Sequence, residues 1–327
     1  MSEFDIIKKY FLPLTNGCKA SGFLCDDAAL ISVSAQKELV ISKDLIAEDI
    51  HFTKSDGACN IAKKLLSSNL SDLAASGAKP LYYMLGFSQE NLDEEFIKEF
   101  CYGLKTIGDK FKIDLIGGDS VRSKNKLFFS LTIFGEVKKG KYLKRNSAQD
   151  GDLIFVSGNI GDAFLGLNLN QKKITCQNNA SKEYLIGRHL NPTPRISLGL
   201  ELVKNNIKSA IDISDGLLAD LKHICQASNL SAKIHQNLIP ISASAKRCLK
   251  ENKNIDLNEL FSGGEDYELI FTVDKKYSLK IKNLTEKLGI RITQIGSLER
   301  SKSEHKIHLL DQNNEEIIIS QYGWQHY

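Results

Sequence analysis

The chain has 327 residues, 42% of them hydrophobic, which suits two domains of ordinary size better than a single core. Lysine and arginine number 43 against 40 acids, a formal charge of +3 with no local basic stripe, so neither a nucleic-acid nor a membrane surface is indicated. Seven scattered cysteines (18, 25, 59, 101, 176, 225, 248), never paired as C-x-x-C, argue against a disulfide framework and a zinc site and suit a reducing cytoplasm.

The start, "MSEFDIIKKYF", mixes acids with basic residues and has no apolar run of signal length. No run of about 18 apolar residues could span a bilayer. The expectation is a soluble, cytoplasmic protein. "ELVIS" (38 to 42) reads as a strand. From Ala58 the apolar residues Ile61, Leu65, Leu66, Leu70 and Leu73 recur at helical spacing until Gly77 and Pro80 stop them. A second helix starts at Asp93, with Phe96, Phe100, Leu104, Ile107 and Phe111 along one side. Strands "IDLI" and "LFFSLTIFGEV" follow, with the turn-like "GGDS" between them. The polar stretch "KKGKYLKRNSAQDG" (138 to 151) marks a domain boundary, placed so that residues 1–145 form one domain and 146–327 the other.

The second half opens on a strand, "DLIFVSG", then a helix after Gly161 and a proline-marked turn "RHLNPTPR". In "SAIDISDGLLADLKHICQAS" a short strand runs into a helix, and in "FSGGEDYELIFTV" a glycine turn runs into a strand. "KIHLL" and "EEIIIS" form a terminal hairpin. Strands and helices do not alternate as in a doubly wound sheet, so the fold class is α+β.

"GEVKKGKY" has the spacing of a phosphate-binding loop. Tyr142 replaces the magnesium-binding hydroxyl and no helix follows, so it reads as a charged turn. The acids are more informative, because Asp27, Asp44, Asp72, Asp119, Asp212 and Asp215 sit at the ends of apolar elements. Asp215 could simply favour a helix N-terminus, and Asp119 could be a turn residue. Asp72 is harder to explain structurally: the helix dipole disfavours an anion in the last turns, and Leu70 and Leu73 imply burial. Carboxylates gathered on one sheet edge repel unless divalent ions join them, and oxygen ligands without cysteine point to magnesium, which is most often bound with substrate phosphates. Gly263 and Gly264 before Glu265 and Asp266 allow close backbone approach or a plain hairpin turn. His51, with acids nearby, is a surface residue or, with a raised pKa, a phosphate contact.

In order, "DDAAL", "ISKDLIAEDIHF", "NLSDLAASGAKP", "LIGGDSVR", "KRNSAQDGDLIFVSGNIGD", "RHLNPTPR", "AIDISDGLLADL", "SGGEDYEL" and "GWQHY" resemble the thiamine-monophosphate kinase family, through essentially the whole chain. The wider superfamily includes aminoimidazole ribonucleotide synthetase, selenophosphate synthetase and a hydrogenase maturation protein. The resemblance implies a two-domain aminoimidazole ribonucleotide synthetase-like fold. Its N-terminal domain binds ATP and magnesium and forms a homodimer, and its C-terminal domain completes the nucleotide and substrate site. It also implies transfer of the γ-phosphoryl of ATP to thiamine monophosphate with no covalent intermediate. Asp27, Ser42, Asp44, Asp72, Asp119, Asp212 and Asp215 then match ligands of several magnesium ions; Gly118, Asp119, Arg145 and Ser214 match ATP contacts; His51, Glu265 and Trp324 match thiamine contacts. Trp324, the sole tryptophan, could stack on a thiazolium or pyrimidine ring or cover the core. Two positions depart from the family: Cys25 stands where a glycine precedes the paired aspartates, and Lys43 stands where a threonine is typical. Another ATP-dependent enzyme of the superfamily, or a nucleotide or thiamine-phosphate binding protein without turnover, are the other readings.

Overall fold

The computed structural model describes residues 3–25, 28–91, 93–124, 126–301 and 305–324. The chain divides into two compact units, one of residues 1–73 and 78–141, the other of residues 74–77 and 142–327.

In the first unit a helical turn α1 (Glu3–Ile6) precedes strand β1 (Lys37–Ala47), helix α2 (Ala58–Ser76), strand β2 (Lys79–Gln89), helix α3 (Glu94–Phe111), strand β3 (Asp114–Arg122) and strand β4 (Phe128–Lys138). The sheet order is β1-β4-β2-β3; β4 runs antiparallel to β1 and β2, and β3 lies parallel to β2. The helical spacing in the sequence is the cause of the packing. Ile61, Leu65, Leu66, Leu70 and Leu73 of α2 are fully buried, as are Ile97, Phe100 and Leu104 of α3. Phe100 meets Phe129 of β4 and Phe87 of β2 at centroid distances of 4.7 and 5.4 Å. Asp93 caps α3 by accepting the Glu95 and Phe96 N–H groups, and Gly77 at φ +68° follows the end of α2.

Two sequence expectations change here. Residues 79–89 form a central strand although Gly77 and Pro80 suggested only a helix stop; Pro80 sits at the strand's second position, beside a register shift between Pro80 and Tyr82. "GGDS" is no turn between strands but part of β3, paired with Met84 to Phe87 of β2.

The second unit contains strand β5 (Leu153–Ser157), helices α4 (Asp162–Asn170), α5 (Asn179–Leu190) and α6 (Ile196–Lys204), strand β6 (Ser209–Asp212), helix α7 (Leu217–Ser228), strand β7 (Leu230–His235), helices α8 (Ala243–Glu251) and α9 (Leu257–Ser262), strand β8 (Leu269–Val273), helix α10 (Ser278–Leu288) and strands β9 (Ile292–Arg300), β10 (Ile307–Leu310) and β11 (Glu316–Ile317). The sheet order is β11-β10-β7-β9-β5-β8-β6, and only β10 with β7 is parallel. The terminal hairpin read from the sequence is present, with Leu309 opposite Ile317. Leu217, Leu218, Leu221, Ile224 and Cys225 of α7 are fully buried in one core with Ile211, Ile270 and Ile295 of the sheet. Both units mix mainly antiparallel sheets with helices, an α+β architecture.

Candidate functional site

β1 sorts "ISKDLIAEDIHF" by strand alternation. Ser42 donates its hydroxyl to Asp72 Oδ2 at 2.5 Å, so Ser42, Asp44 and Asp72 share the helix-covered face. Burial, with Asp72 beside it, pushes the Asp44 carboxyl up to about 6, against a hydrogen bond from Ser68 that holds it down. Lys43 points the other way and donates to Ser130 Oγ on β4. The remaining acids of the run do structural work: Glu48 accepts the Leu127 N–H at 2.9 Å, and Asp49, at φ +66°, pairs with Lys126. His51 Nδ1 accepts the Ala47 N–H at 3.1 Å, which only a ring unprotonated at Nδ1 can do.

β1 and β3 are opposite edges of the sheet. The register aligns Asp44, Leu131, Leu85 and Gly118 in one row, and Leu45, Ser130, Gly86 and Asp119 in the next. Asp119 is exposed and lies three strand spacings from β1, about 14 Å at 4.8 Å each. Its row is the one that carries exposed Leu45, while Asp44 shares a row with buried Leu131 and Leu85. The first unit therefore brings Ser42, Asp44 and Asp72 together and leaves Asp119 apart from them. At Gly118 a Cβ would come within 2.1 Å of the Leu85 carbonyl, so only glycine allows the two strands to approach there. Asp27 lies outside the described residues.

The second unit has its own acidic centre, built on the turn between β6 and α7. Asp212 ends β6 and is buried; Ser214 and Asp215 are half-buried. Asp220 Oδ2 accepts the N–H groups of Ser214, Asp215 and Gly216 at 3.0, 3.0 and 3.1 Å. Burial, then Asp212 and Asp215, raise the Asp220 carboxyl well above the usual range. Ligand atoms of Asp215, Asp220 and exposed His223 come within 4.8 Å of one another. Sequence reading missed Asp220; its signal was an acid in the first turn of a helix that follows Ser-Asp-Gly, where it can reach back to free N–H groups.

"SGGEDYEL" folds onto the same turn. A Cβ on Gly264 would meet the Ser214 carbonyl at 2.3 Å, and one on Gly216, at φ +126°, would meet the Ser262 carbonyl at 2.5 Å. Glu265 donates its N–H to the Ser214 carbonyl at 2.9 Å and sits at φ +72°; its carboxylate lies 2.9 Å from His189 Nδ1. The Trp324 N–H donates to the Asp215 carbonyl at 3.0 Å, and the indole is 56% exposed, so it does not cover the core. Asp212, Ser214, Asp215, Glu265 and Trp324 are thus brought together. Arg145 is not among them: its carbonyl accepts from Ser228 at the far end of α7, about 17 Å along the helix axis.

Asp266 is fully buried and accepts the Gly161 and Ala163 N–H groups at 2.6 and 3.0 Å, capping α4; burial pushes its carboxyl up to about 7. Glu268, also buried, receives the Ser157 hydroxyl at 2.6 Å, Arg188 Nη2 at 3.0 Å and Arg195 Nε at 2.6 Å. The arginines of "RHLNPTPR" thus clasp the end of "GGEDYE" from behind.

Ser42, Asp44 and Asp72 in the first unit and Asp212 and Asp215 in the second offer hard oxygens whose like charges oppose one another, an arrangement that fits a divalent cation such as magnesium, while Asp220 Oδ2 is taken up by the turn's N–H groups. Among the described residues no helix is long and apolar enough to cross a membrane.

The AIR synthase related protein N-terminal domain matches residues 25–137 and its C-terminal domain residues 149–308. The thiamine-monophosphate kinase of Buchnera aphidicola subsp. Schizaphis graminum is 40% identical over 332 residues, covering 100% of this chain and 99% of its own. The crystal structure of thiamine-monophosphate kinase from Stenotrophomonas maltophilia K279a superposes with a TM-score of 0.85 at 35% identity, over 97% of this chain and 98% of that one. AaThiL complexed with AMPPCP and TMP superposes with a TM-score of 0.79 at 29% identity, over 99% of this chain and 96% of that one.

Proposed function

The chain belongs to the thiamine-monophosphate kinases of the AIR synthase related family, and from that premise we propose that it phosphorylates thiamine monophosphate to thiamine diphosphate at the expense of ATP, in the cytoplasm and with magnesium. The single observation that carries the chemical part is the pairing of Asp44 with Asp72, two carboxylates side by side on a half-buried face, the Ser42 hydroxyl donating to Asp72 and the Ser68 hydroxyl to Asp44. Such a pair is costly without a cation, and that cost is what a magnesium–nucleotide complex offsets.

Phosphoryl transfer between two phosphates needs positioning and charge neutralisation more than a strong base, and the transfer is direct, with no covalent intermediate. Magnesium, when bound, supplies the positive charge that screens the phosphate oxygens. In the first unit, Asp44 and Asp72 with Ser42 would hold it, and Asp27 and Asp119 match further ligand positions of the family, Asp119 for an ion separate from that pair. Gly118 is a nucleotide contact and His51 a substrate contact by family position. In the second unit, Asp212 and Asp215 supply carboxylates, Ser214 contacts the nucleotide, and Glu265 and Trp324 receive the thiamine; Arg145, at the far end of α7, is a nucleotide contact by family position alone. The exposed indole offers a face to a cationic thiazolium, and the Glu265 carboxylate offers the matching charge or hydrogen-bond acceptor.

The unit works as a homodimer. Supporting this, the open face of the first sheet carries Ile41 and Leu45, each more than half exposed, with Phe128 beside them, while its other face is filled by α2 and α3.

A panel of phosphorylated acceptors incubated with the purified protein, ATP and magnesium tests the substrate. Turnover of thiamine monophosphate alone is expected; turnover of a different acceptor assigns the chain to another activity of the superfamily, and ATP binding without any product makes it a binding protein.

A further inference from the structure

The turn Ser214–Asp215 has every main-chain polar group committed inside the protein. Its two N–H groups go to Asp220 Oδ2, the Ser214 carbonyl accepts from Glu265 N–H, and the Asp215 carbonyl accepts from Trp324 N–H. What remains to meet a ligand is the Ser214 hydroxyl and the Asp215 carboxylate. The same turn is also the anchor of the two residues read as thiamine contacts, since Glu265 and Trp324 are tied to it through their own backbones. One oxygen of one side chain, on the first turn of α7 and only 2% exposed, thus fixes the piece of chain on which the nucleotide, metal and substrate groups of this unit are mounted.

We infer that Asp220 is a positioning residue for the phosphoryl-transfer site: its Oδ2 holds the Ser214–Gly216 turn in the one conformation that presents Ser214 and Asp215 outward and seats Glu265 and Trp324 beside them. The inference rests on the roles proposed above for those four residues. Three features make the device specific. The acceptor is a single oxygen shared by three consecutive N–H groups, so a displacement of that atom loosens all three bonds together. Gly216 at φ +126° is packed against the Ser262 carbonyl and leaves the turn no alternative path on that side. Asp220 is held from its own side, because its N–H donates to the Gly216 carbonyl at 3.0 Å, closing the helix turn onto the loop it supports.

The role depends on where an acceptor oxygen sits, and two variants separate that from charge. Asp220→Asn keeps an oxygen in place for the three N–H groups and removes the charge; Asp220→Glu keeps the charge and moves the oxygen by one methylene. The magnesium–ATP concentration giving half-maximal activity, and that giving half of the ligand-induced rise in melting temperature, are measured on each full-length protein. Hydrogen exchange of the 213–217 segment is followed in the same samples. Asp220→Asn is expected to stay within about threefold of the parent in both concentrations, with the segment protected. Asp220→Glu is expected to need at least about tenfold more magnesium–ATP in both, with faster exchange in that segment. Equal behaviour of the two variants, or Asp220→Asn failing while Asp220→Glu is normal, overturns the inference and, in the latter case, makes Asp220 a charge or metal ligand. A parent protein whose melting temperature does not respond to magnesium–ATP at all overturns the functional reading and this inference with it. The two failures are distinguished by the parent's own response.

Discussion

Asp72 carries the argument at the scale of single residues. The sequence placed it near the end of a long helix between two leucines, where neither dipole nor burial suits a carboxylate. The structure adds the partners: Ser42 donates to it and Asp44 stands close enough to have its own carboxyl raised. Asp72→Asn removes one charge at nearly constant volume, and turnover should fall by about two to three orders of magnitude while the thermal melt stays within a few degrees. A kinetic assay beside a melt checks both halves, and near-normal turnover would remove the metal pair from the account. Lys43 was legible in part, since strand alternation alone sends it away from Ser42 and Asp44, and its hydrogen bond to Ser130 is on that opposite face. Asp220 was not legible as more than a helix residue, because its value lies in three N–H groups that only the folded turn brings to it.

Periodicity decided how much of each element could be read. α2 and α3 follow from their apolar spacing, and Asp93 marked the start of α3 as its cap. β2 escaped because Gly77 and Pro80 signal an interruption, and nothing local reports that Pro80 opens a strand whose pairing is set by β4. The "GGDS" stretch escaped for the same reason: its glycines suit a turn until β2 is there to pair with them. The arginines of "RHLNPTPR" read as a turn, yet Arg188 and Arg195 converge on Glu268 from α5 and the start of α6, a long-range match that no spacing encodes. Glu268→Ala removes the carboxylate shared by two largely buried guanidinium groups, leaving Arg188 its bond to the Asp266 carbonyl, and should cost about 3 kcal/mol in denaturant unfolding. A loss below about 1 kcal/mol would show that the clasp does not hold the "GGEDYEL" segment.

At the level of the whole molecule, buried carboxylates outnumber what the protein neutralises by itself. Asp44, Asp266, Asp220, Asp162 and Asp152 all have carboxyls raised above the ordinary value, with burial the first cause in each. A raised carboxyl means that the folded chain holds protons the unfolded chain has released. Stability is therefore greatest at low pH and is lost as pH rises through those values. The lowered carboxyls of Glu94, Asp274 and Glu316 act in the other direction from exposed pairs that solvent screens, and Glu201, itself buried, is held down only by the exposed ammonium groups of Lys204 and Lys287. The metal-free protein should accordingly melt at a higher temperature at pH 5.5 than at pH 7.5, a difference of a few degrees, and magnesium should raise the melt most at the higher pH. A metal-free melt that rises with pH would contradict this. The dimer has its own check: Leu45→Glu places a charge on the open sheet face and should shift the sedimenting species from twice the chain mass to one.

The central claim is a direct phosphoryl transfer between ATP and thiamine monophosphate, and product analysis of a single reaction tests it most closely. Purified protein with magnesium, ATP and thiamine monophosphate should yield thiamine diphosphate and ADP in equal amounts, with no phosphate left on the protein when the substrate is withheld. ADP formed without thiamine diphosphate, or label from the γ-phosphoryl retained on the chain, would contradict the account.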